Sequence, residues 1–118
     1  MLLKMLKSKL HRAHVTETRL HYPGSILIDS ALMKAAGILP YEGVLIADLT
    51  NGNRVETYAV PAPANSGQII VLGAAVRRVK KNDIIIIFSF CYCTNSEARK
   101  LKPKVILLDK RNKIINKK

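Results

Sequence analysis

The step Gly24-Ser25, inside the run Leu20-His21-Tyr22-Pro23-Gly24-Ser25-Ile26-Leu27-Ile28-Asp29, places a hydroxyl directly after a carbonyl that no side chain shields. Gly24 lacks a Cβ, so it is free to take positive φ and leaves one side of its carbonyl open. In a strained peptide, the Ser25 oxygen can add to the Gly24 carbonyl and move the acyl group from nitrogen to oxygen. The resulting ester breaks more easily than the amide it replaces. Loss of the Ser25 Cα proton then eliminates the Gly24 carboxylate and leaves dehydroalanine, which hydrolyses with release of ammonia. The product is a pyruvoyl group heading a new chain. On the dipeptide alone, Pro23-Gly24 reads more simply as a turn.

Further short segments follow in order along the chain: Lys9-Leu10-His11-Arg12, His21-Tyr22-Pro23-Gly24-Ser25, Ala35-Ala36-Gly37-Ile38-Leu39, Thr50-Asn51-Gly52, Thr57-Tyr58-Ala59, Gly73-Ala74-Ala75 and Ile87-Phe88-Ser89-Phe90. From about Met5 to Pro103 this ordered set closely resembles the pyruvoyl-dependent aspartate 1-decarboxylases. The resemblance implies a zymogen that cuts itself between Gly24 and Ser25 into a β chain, 1–24, and an α chain, 25–118. It implies a covalent pyruvoyl group made from Ser25 and no metal. Such an enzyme is a carboxy-lyase that converts L-aspartate to β-alanine and carbon dioxide through a Schiff base, for pantothenate biosynthesis. The implied fold is a double-psi β-barrel assembled as a homotetramer, with sites between subunits. A helper protein for maturation is left open.

A ketone conjugated to an amide carbonyl condenses with an amine and accepts the electrons released when carbon dioxide leaves. Because the side-chain carboxylate of aspartate stays while the α-carboxylate departs, cations should hold the group that stays. Arg54 suits that grip, since a guanidinium binds a carboxylate through two parallel hydrogen bonds, and the position matches the family's substrate-binding arginine. By itself Arg54 reads as a surface charge after a turn. Lys9 matches a family active-site lysine; alone it reads as a solvated side chain.

The resemblance also implies that the Thr57 hydroxyl supports self-cleavage by donating to the oxygen that gains charge at Gly24, and takes part in substrate binding. Tyr58 is implied as the proton donor to the product carbanion. Neighbours on a strand point to opposite faces, so a turn, bulge or subunit boundary must reconcile the two roles. Tyr22 and His11 are candidates to line or orient the site. Gly73-Ala74-Ala75 resembles a small-residue segment whose backbone amides approach the substrate. Two neighbours depart from the family pattern: Leu72 stands where Asn is common and Val76 where Ala is usual. Leu72 cannot donate a hydrogen bond, which predicts altered or slower maturation.

The elements that must position these residues are mostly strands. Residues 2 to 15 alternate loosely, Val44 to Leu49 and Arg54 to Val60 flank a hairpin-type Asn51-Gly52 turn, and Gln68 to Leu72 and Asp83 to Tyr92 are rich in β-branched residues. Asp29 is placed to cap a helix over Ser30 to Ala36 that Gly37 ends, and Asn95 or Ser96 to start a second reaching Lys100. Many short strands in a small chain argue a mainly β fold closed as a barrel, with a few short helices.

At 118 residues and 48% apolar content the chain reads as a single domain, 1–118, with a moderate core. Its net charge of +12 is uneven, since residues 99 to 118 hold nine Lys and Arg against Asp109, and 104–118 reads as a basic C-terminal tail. The apolar run Ile84 to Cys93 is too short to span a bilayer, so a cytoplasmic address without membrane attachment is expected. Cys91 and Cys93 point to one face of a strand; a zinc site would need ligands converging from His11, His14 or His21, and strand residues without metal are expected instead. The competing class is a small basic β-barrel that binds nucleic acid through phosphate contacts. With aromatics at 5% and no stacking pair, nucleic acid is not the expected partner.

Overall fold

The computed structural model describes residues 1–117. Nine strands lie in one sequence of hydrogen-bonded neighbours: β1 Leu3–His14, β2 Glu17–Arg19, β3 Ser25–Asp29, β4 Gly43–Asp48, β5 Arg54–Ala62, β6 Ile69–Leu72, β7 Ile84–Cys93, β8 Lys104–Leu108 and β9 Ile114–Lys117. Their spatial order is β2-β6-β3-β5-β4-β7-β1-β8-β9. The first neighbour in that order, β2, continues the seventh, β1, after only Val15 and Thr16. Thr16 donates its N–H to the Ile69 carbonyl at 2.8 Å, which carries the chain from β7 across to β6. The chain thereby passes from an interior strand, β1, to the edge strand β2 at the far end of the order.

The period of two explains the inward set. Leu10, Ile26, Ile28, Ile46, Ile85, Ile87 and Val71 are fully buried and form one cluster with Val79, Ile106 and Leu108. Each such aliphatic side chain withdrawn from water contributes about 1.5–3 kcal/mol. Helix α1, Ser30–Ala36, covers one side with Leu32, Met33 and Ala36.

Asp29 caps α1 through its side chain, accepting from the Ala31 N–H, and Gly37 ends it at φ 70°. The second helix, α2 Asn95–Lys100, starts at Asn95, one of the two expected positions, and reaches Lys100. Thr94 is its N-cap because Glu97 reaches back to the Thr94 N–H, completing a reciprocal pair with the Thr94 hydroxyl. No helix among the described residues is long and apolar enough to cross a membrane.

Residues 104–117 correct the expectation of a tail. Val105 to Leu108 is an apolar run that pairs in parallel with β1 and antiparallel with β9. Buried Asn112 fastens the intervening turn: its amide donates to the His14 and Gly67 carbonyls at 2.9 and 2.8 Å, while its oxygen accepts from the His14 N–H at 2.7 Å. Every polar atom of that side chain is satisfied, which a buried amide requires. Lys118 lies outside the described residues.

Candidate active site at the Gly24-Ser25 step

β3 starts at Ser25, so the candidate cleavage step is the entry to a strand, not the middle of a loop. That strand runs parallel to β5 and antiparallel to β6, with Ser25 directly opposite Leu72. Ser25 is 4% exposed, whereas Gly24 faces solvent.

The left-handed residue at this junction is Gly73, at φ +78°; Gly24 is not in that region. A Cβ on Gly73 would stand 2.7 Å from the Gly24 Cα, 2.9 Å from its nitrogen and 3.0 Å from the Tyr22 carbonyl oxygen. Both conformation and space therefore require glycine at 73. A Cβ on Gly24 would meet only the Leu72 carbonyl at 3.9 Å, an ordinary contact. Gly73 opens a single 3₁₀ turn, Gly73–Arg77, on which Ala74 is exposed and Ala75 half-buried. The small-residue segment thus packs its first member against the backbone of the candidate cleavage loop.

β5 changes partners in the middle. Its pairing with β4 runs from Ala47–Arg54 to Gly43–Tyr58, and its pairing with β3 begins at Ile26–Ala59. Ser25 and Tyr58 each stand one residue before that first pair, Ser25 paired with Leu72 of β6 and Tyr58 with Gly43 of β4. Tyr58 is 37% exposed, on the same face of β5 as Arg54 and Glu56. Arg54 is four residues away on that face, about 13 Å along the strand. Thr57 is half-buried and lines an open groove of about 210 Å³ with Lys4, Glu56, Phe90 and Tyr92.

Lys9 is not with them. It lies on β1 in a row Val105, Lys9, Phe88, Leu45, Glu56, three strands from β5. At about 4.8 Å per strand that is about 14 Å of backbone separation across the sheet, comparable to the spacing of Arg54 and Tyr58 along β5. His11 occupies the next row, Leu107, His11, Ile86, Ala47, Arg54. Burial lowers the His11 pKa, and the charges of Lys9 and Arg12 lower it further, so the ring favours its neutral form. Tyr22 is half exposed, with the Arg19 guanidinium 5.5 Å from its ring centre.

Tyr41 and Glu42 were not legible as site neighbours. The Tyr41 ring lies beside Tyr58, with centroids 6.3 Å apart and planes at 38°. Only the pairing of the 37–43 turn with β5 brings them together, and no local pattern encodes it. Among the described residues no three His, Cys, Asp or Glu side chains converge as a metal site. Cys91 is half-buried and Cys93 buried, both as free thiols.

Residues 1–115 match the family model described as aspartate decarboxylase. The chain is 57% identical to the aspartate 1-decarboxylase of Moorella thermoacetica, over 93% of this chain and 86% of that one. It is 54% identical to the aspartate 1-decarboxylase of Clostridium botulinum (strain Loch Maree / Type A3), over 97% and 90% of the two chains. Against the Caulobacter vibrioides aspartate 1-decarboxylase the identity is 53%, over 97% of each. With a family match across nearly its whole length and relatives above half identity, the chain belongs to the aspartate decarboxylase family of enzymes.

Proposed function

We propose that this chain decarboxylates L-aspartate to β-alanine after cutting itself between Gly24 and Ser25. The observation that carries the reading is the seat of Ser25: a buried residue at a strand entry, one position before the first β3–β5 pair, with the preceding glycine pressed against Gly73. The Ser25 oxygen attacks the Gly24 carbonyl, the acyl group moves from nitrogen to oxygen, and elimination followed by hydrolysis releases ammonia. The Thr57 hydroxyl donates to the carbonyl oxygen as it gains charge.

The seat suits a pyruvoyl group, because the absent side chain of Gly73 keeps the space beside position 24 free for backbone alone. Such a group supplies a carbonyl that condenses with a primary amine, and an electron sink for the bond that breaks. Arg54 holds the carboxylate that stays, Tyr58 delivers the proton that replaces carbon dioxide, and the backbone of Gly73, Ala74 and Ala75 borders the substrate. Lys9 adds positive charge. β7 and β4 separate Lys9 from β5, which suits a second copy bringing its own Lys9 to the site. This supports sites between subunits of a homotetramer. The product β-alanine feeds pantothenate synthesis in the cytoplasm. A nucleic-acid-binding role is not favoured by the family match.

Intact denaturing mass spectrometry tests the reading, with and without a carbonyl-reactive reagent, on the native chain and on Ser25→Ala. The expected result is two fragments split at Gly24-Ser25, a reactive carbonyl on the larger, and neither in the variant. An uncut native chain after prolonged warming, with no β-alanine formed, overturns self-processing by the chain alone and points to a helper protein.

A further inference from the structure

The turn joining α1 to β4 is fastened through Leu39, Lys7 and Ser89. The Leu39 N–H donates to Glu42 Oε1 at 3.0 Å, and the Glu42 N–H donates back to the Leu39 carbonyl at 3.1 Å. Lys7 Nζ donates to both Glu42 carboxylate oxygens at 3.0 Å and to the Gly37 carbonyl at 2.8 Å. The Ser89 hydroxyl also donates to Glu42 Oε2. Lys7 reaches this point because it is the extra residue of a β-bulge, between the pairs Leu6–Phe90 and Ser8–Ser89. Burial pushes the Glu42 carboxyl up, but the hydrogen bonds from Ser89, Leu39 and Lys7 outweigh it and hold the pKa below the usual carboxylate value. Glu42 therefore stays charged and keeps β1, β7 and the end of α1 on one carboxylate.

The residue inside this turn is Tyr41, at φ 69°. A bulky side chain in the left-handed region is strained and persists only where the surroundings over-determine it. Here the Tyr41 N–H donates to the Ala59 carbonyl at 2.7 Å, and the Ala59 N–H donates to the Glu42 carbonyl at 3.0 Å. Core burial does not place the Tyr41 ring, which is 74% exposed. What the ring does contact is Tyr58, at a 6.3 Å centroid separation.

We infer that Tyr41 is a positioning residue for Tyr58, set in place by the Glu42 carboxylate. The inference rests on the reading of Tyr58 as proton donor. A proton donor must hold its hydroxyl within hydrogen-bond reach of the accepting atom. Tyr58 is more than one-third exposed and sits opposite Gly43, which offers no side chain to pack against. Tyr41 supplies that wall. Its aromatic face does the work, not its hydroxyl, so phenylalanine should serve as well.

The experiment compares Tyr41→Ala, Tyr41→Phe, Glu42→Gln and Tyr58→Phe in the full-length protein, each checked for cleavage by mass and for its melting temperature. Tyr41→Ala should lower kcat by about 10- to 100-fold with KM within about twofold, while cleavage and melting stay native. Tyr41→Phe should restore kcat, and Glu42→Gln should lower it in the same direction. Because Tyr41 is exposed, its variants are informative even if Glu42→Gln folds poorly. Native kcat in Tyr41→Ala, alongside an inactive Tyr58→Phe, overturns the positioning role alone. An equal loss in Tyr41→Phe overturns the wall and makes the hydroxyl the active part. A fully active Tyr58→Phe removes the proton-donor reading and the inference with it.

Discussion

Leu72 stands directly across the β3–β6 ladder from Ser25, so its side chain shares a face with the candidate nucleophile. At 8% exposure it offers that face only hydrocarbon. Leu72→Asn should speed cleavage at Gly24-Ser25 by supplying a donor next to the reacting peptide, at a stability cost of about 1–3 kcal/mol for the buried polar group. The uncut fraction, followed over time by denaturing mass spectrometry, reads the rate. Identical time courses in the two proteins would remove Leu72 from any account of maturation.

Gly73→Ala is the sharper perturbation, because a methyl there would lie 2.7 Å from the Gly24 Cα and the backbone sits at φ +78°. Cleavage should slow by at least about tenfold as the 22–24 loop is displaced. Unfolding free energy should drop by about 1–3 kcal/mol from the strained conformation. If Gly73→Ala matures and melts like the native chain, the close approach has no role.

The acid–base behaviour of the β4–β5 hairpin should be dominated by Asp48. Its carboxyl is 2% exposed, accepts the Thr50 N–H at 2.8 Å through Oδ1, and leaves Oδ2 buried without a partner. Burial first, then the neighbouring Asp83, push its pKa from 3.8 to about 6. An acid that binds its proton more tightly when folded stabilises the fold below its unfolded pKa and loses that contribution as pH rises through the folded value. Between about pH 4 and pH 7 this group should remove on the order of 2 kcal/mol. The carboxyls of Glu42 and Asp109, held low by hydrogen bonds, act in the opposite sense at lower pH. The clean readout is therefore a difference: in urea melts, Asp48→Asn should gain stability over the native chain at pH 7.5 and lose that advantage at pH 4. Parallel profiles would assign the carboxyl an ordinary pKa.

Subunit sharing can be read by mixing two dead proteins. Ser25→Ala and Lys9→Ala should each be inactive alone. If Lys9 crosses to a neighbour's site, hetero-oligomers formed by co-expression should recover about a quarter of native activity, the statistical share of sites with both residues intact. No recovery, with mixed assemblies confirmed by mass, would place Lys9 in its own protomer's site.

What the sequence made legible was chemistry bound to local rules. Asp29 and Gly37 bracket α1 because a cap and a left-handed stop are properties of single residues. The strands through residues 2–15, 44–49, 54–60, 68–72 and 83–92 follow the period of two to within a few residues. β3 escaped notice because the Gly24-Ser25 step drew the run toward a turn, although Ile26-Leu27-Ile28 is an apolar strand core. β8 was hidden by the flanking lysines, which made a charge count more conspicuous than Val105-Ile106-Leu107-Leu108. The Glu42 anchor and the Asn112 clasp join residues up to 98 positions apart, and no local signal announces such pairs. The separation of Lys9 from Arg54 likewise depends on strand order, which neither residue encodes.

β1 lies between β7 and β8, and the proposed cut would put it on a different polypeptide from both. The short piece would be locked in by interior ladder pairing, so cutting would cost the native state little. Recovery after denaturation would change in kind. The uncut chain refolds by a unimolecular search, whereas the matured protein would have to recapture a freely diffusing 24-residue strand donor, a second-order step slowed by dilution. Maturation would turn a reversible folder into one whose durability is set by how seldom it opens.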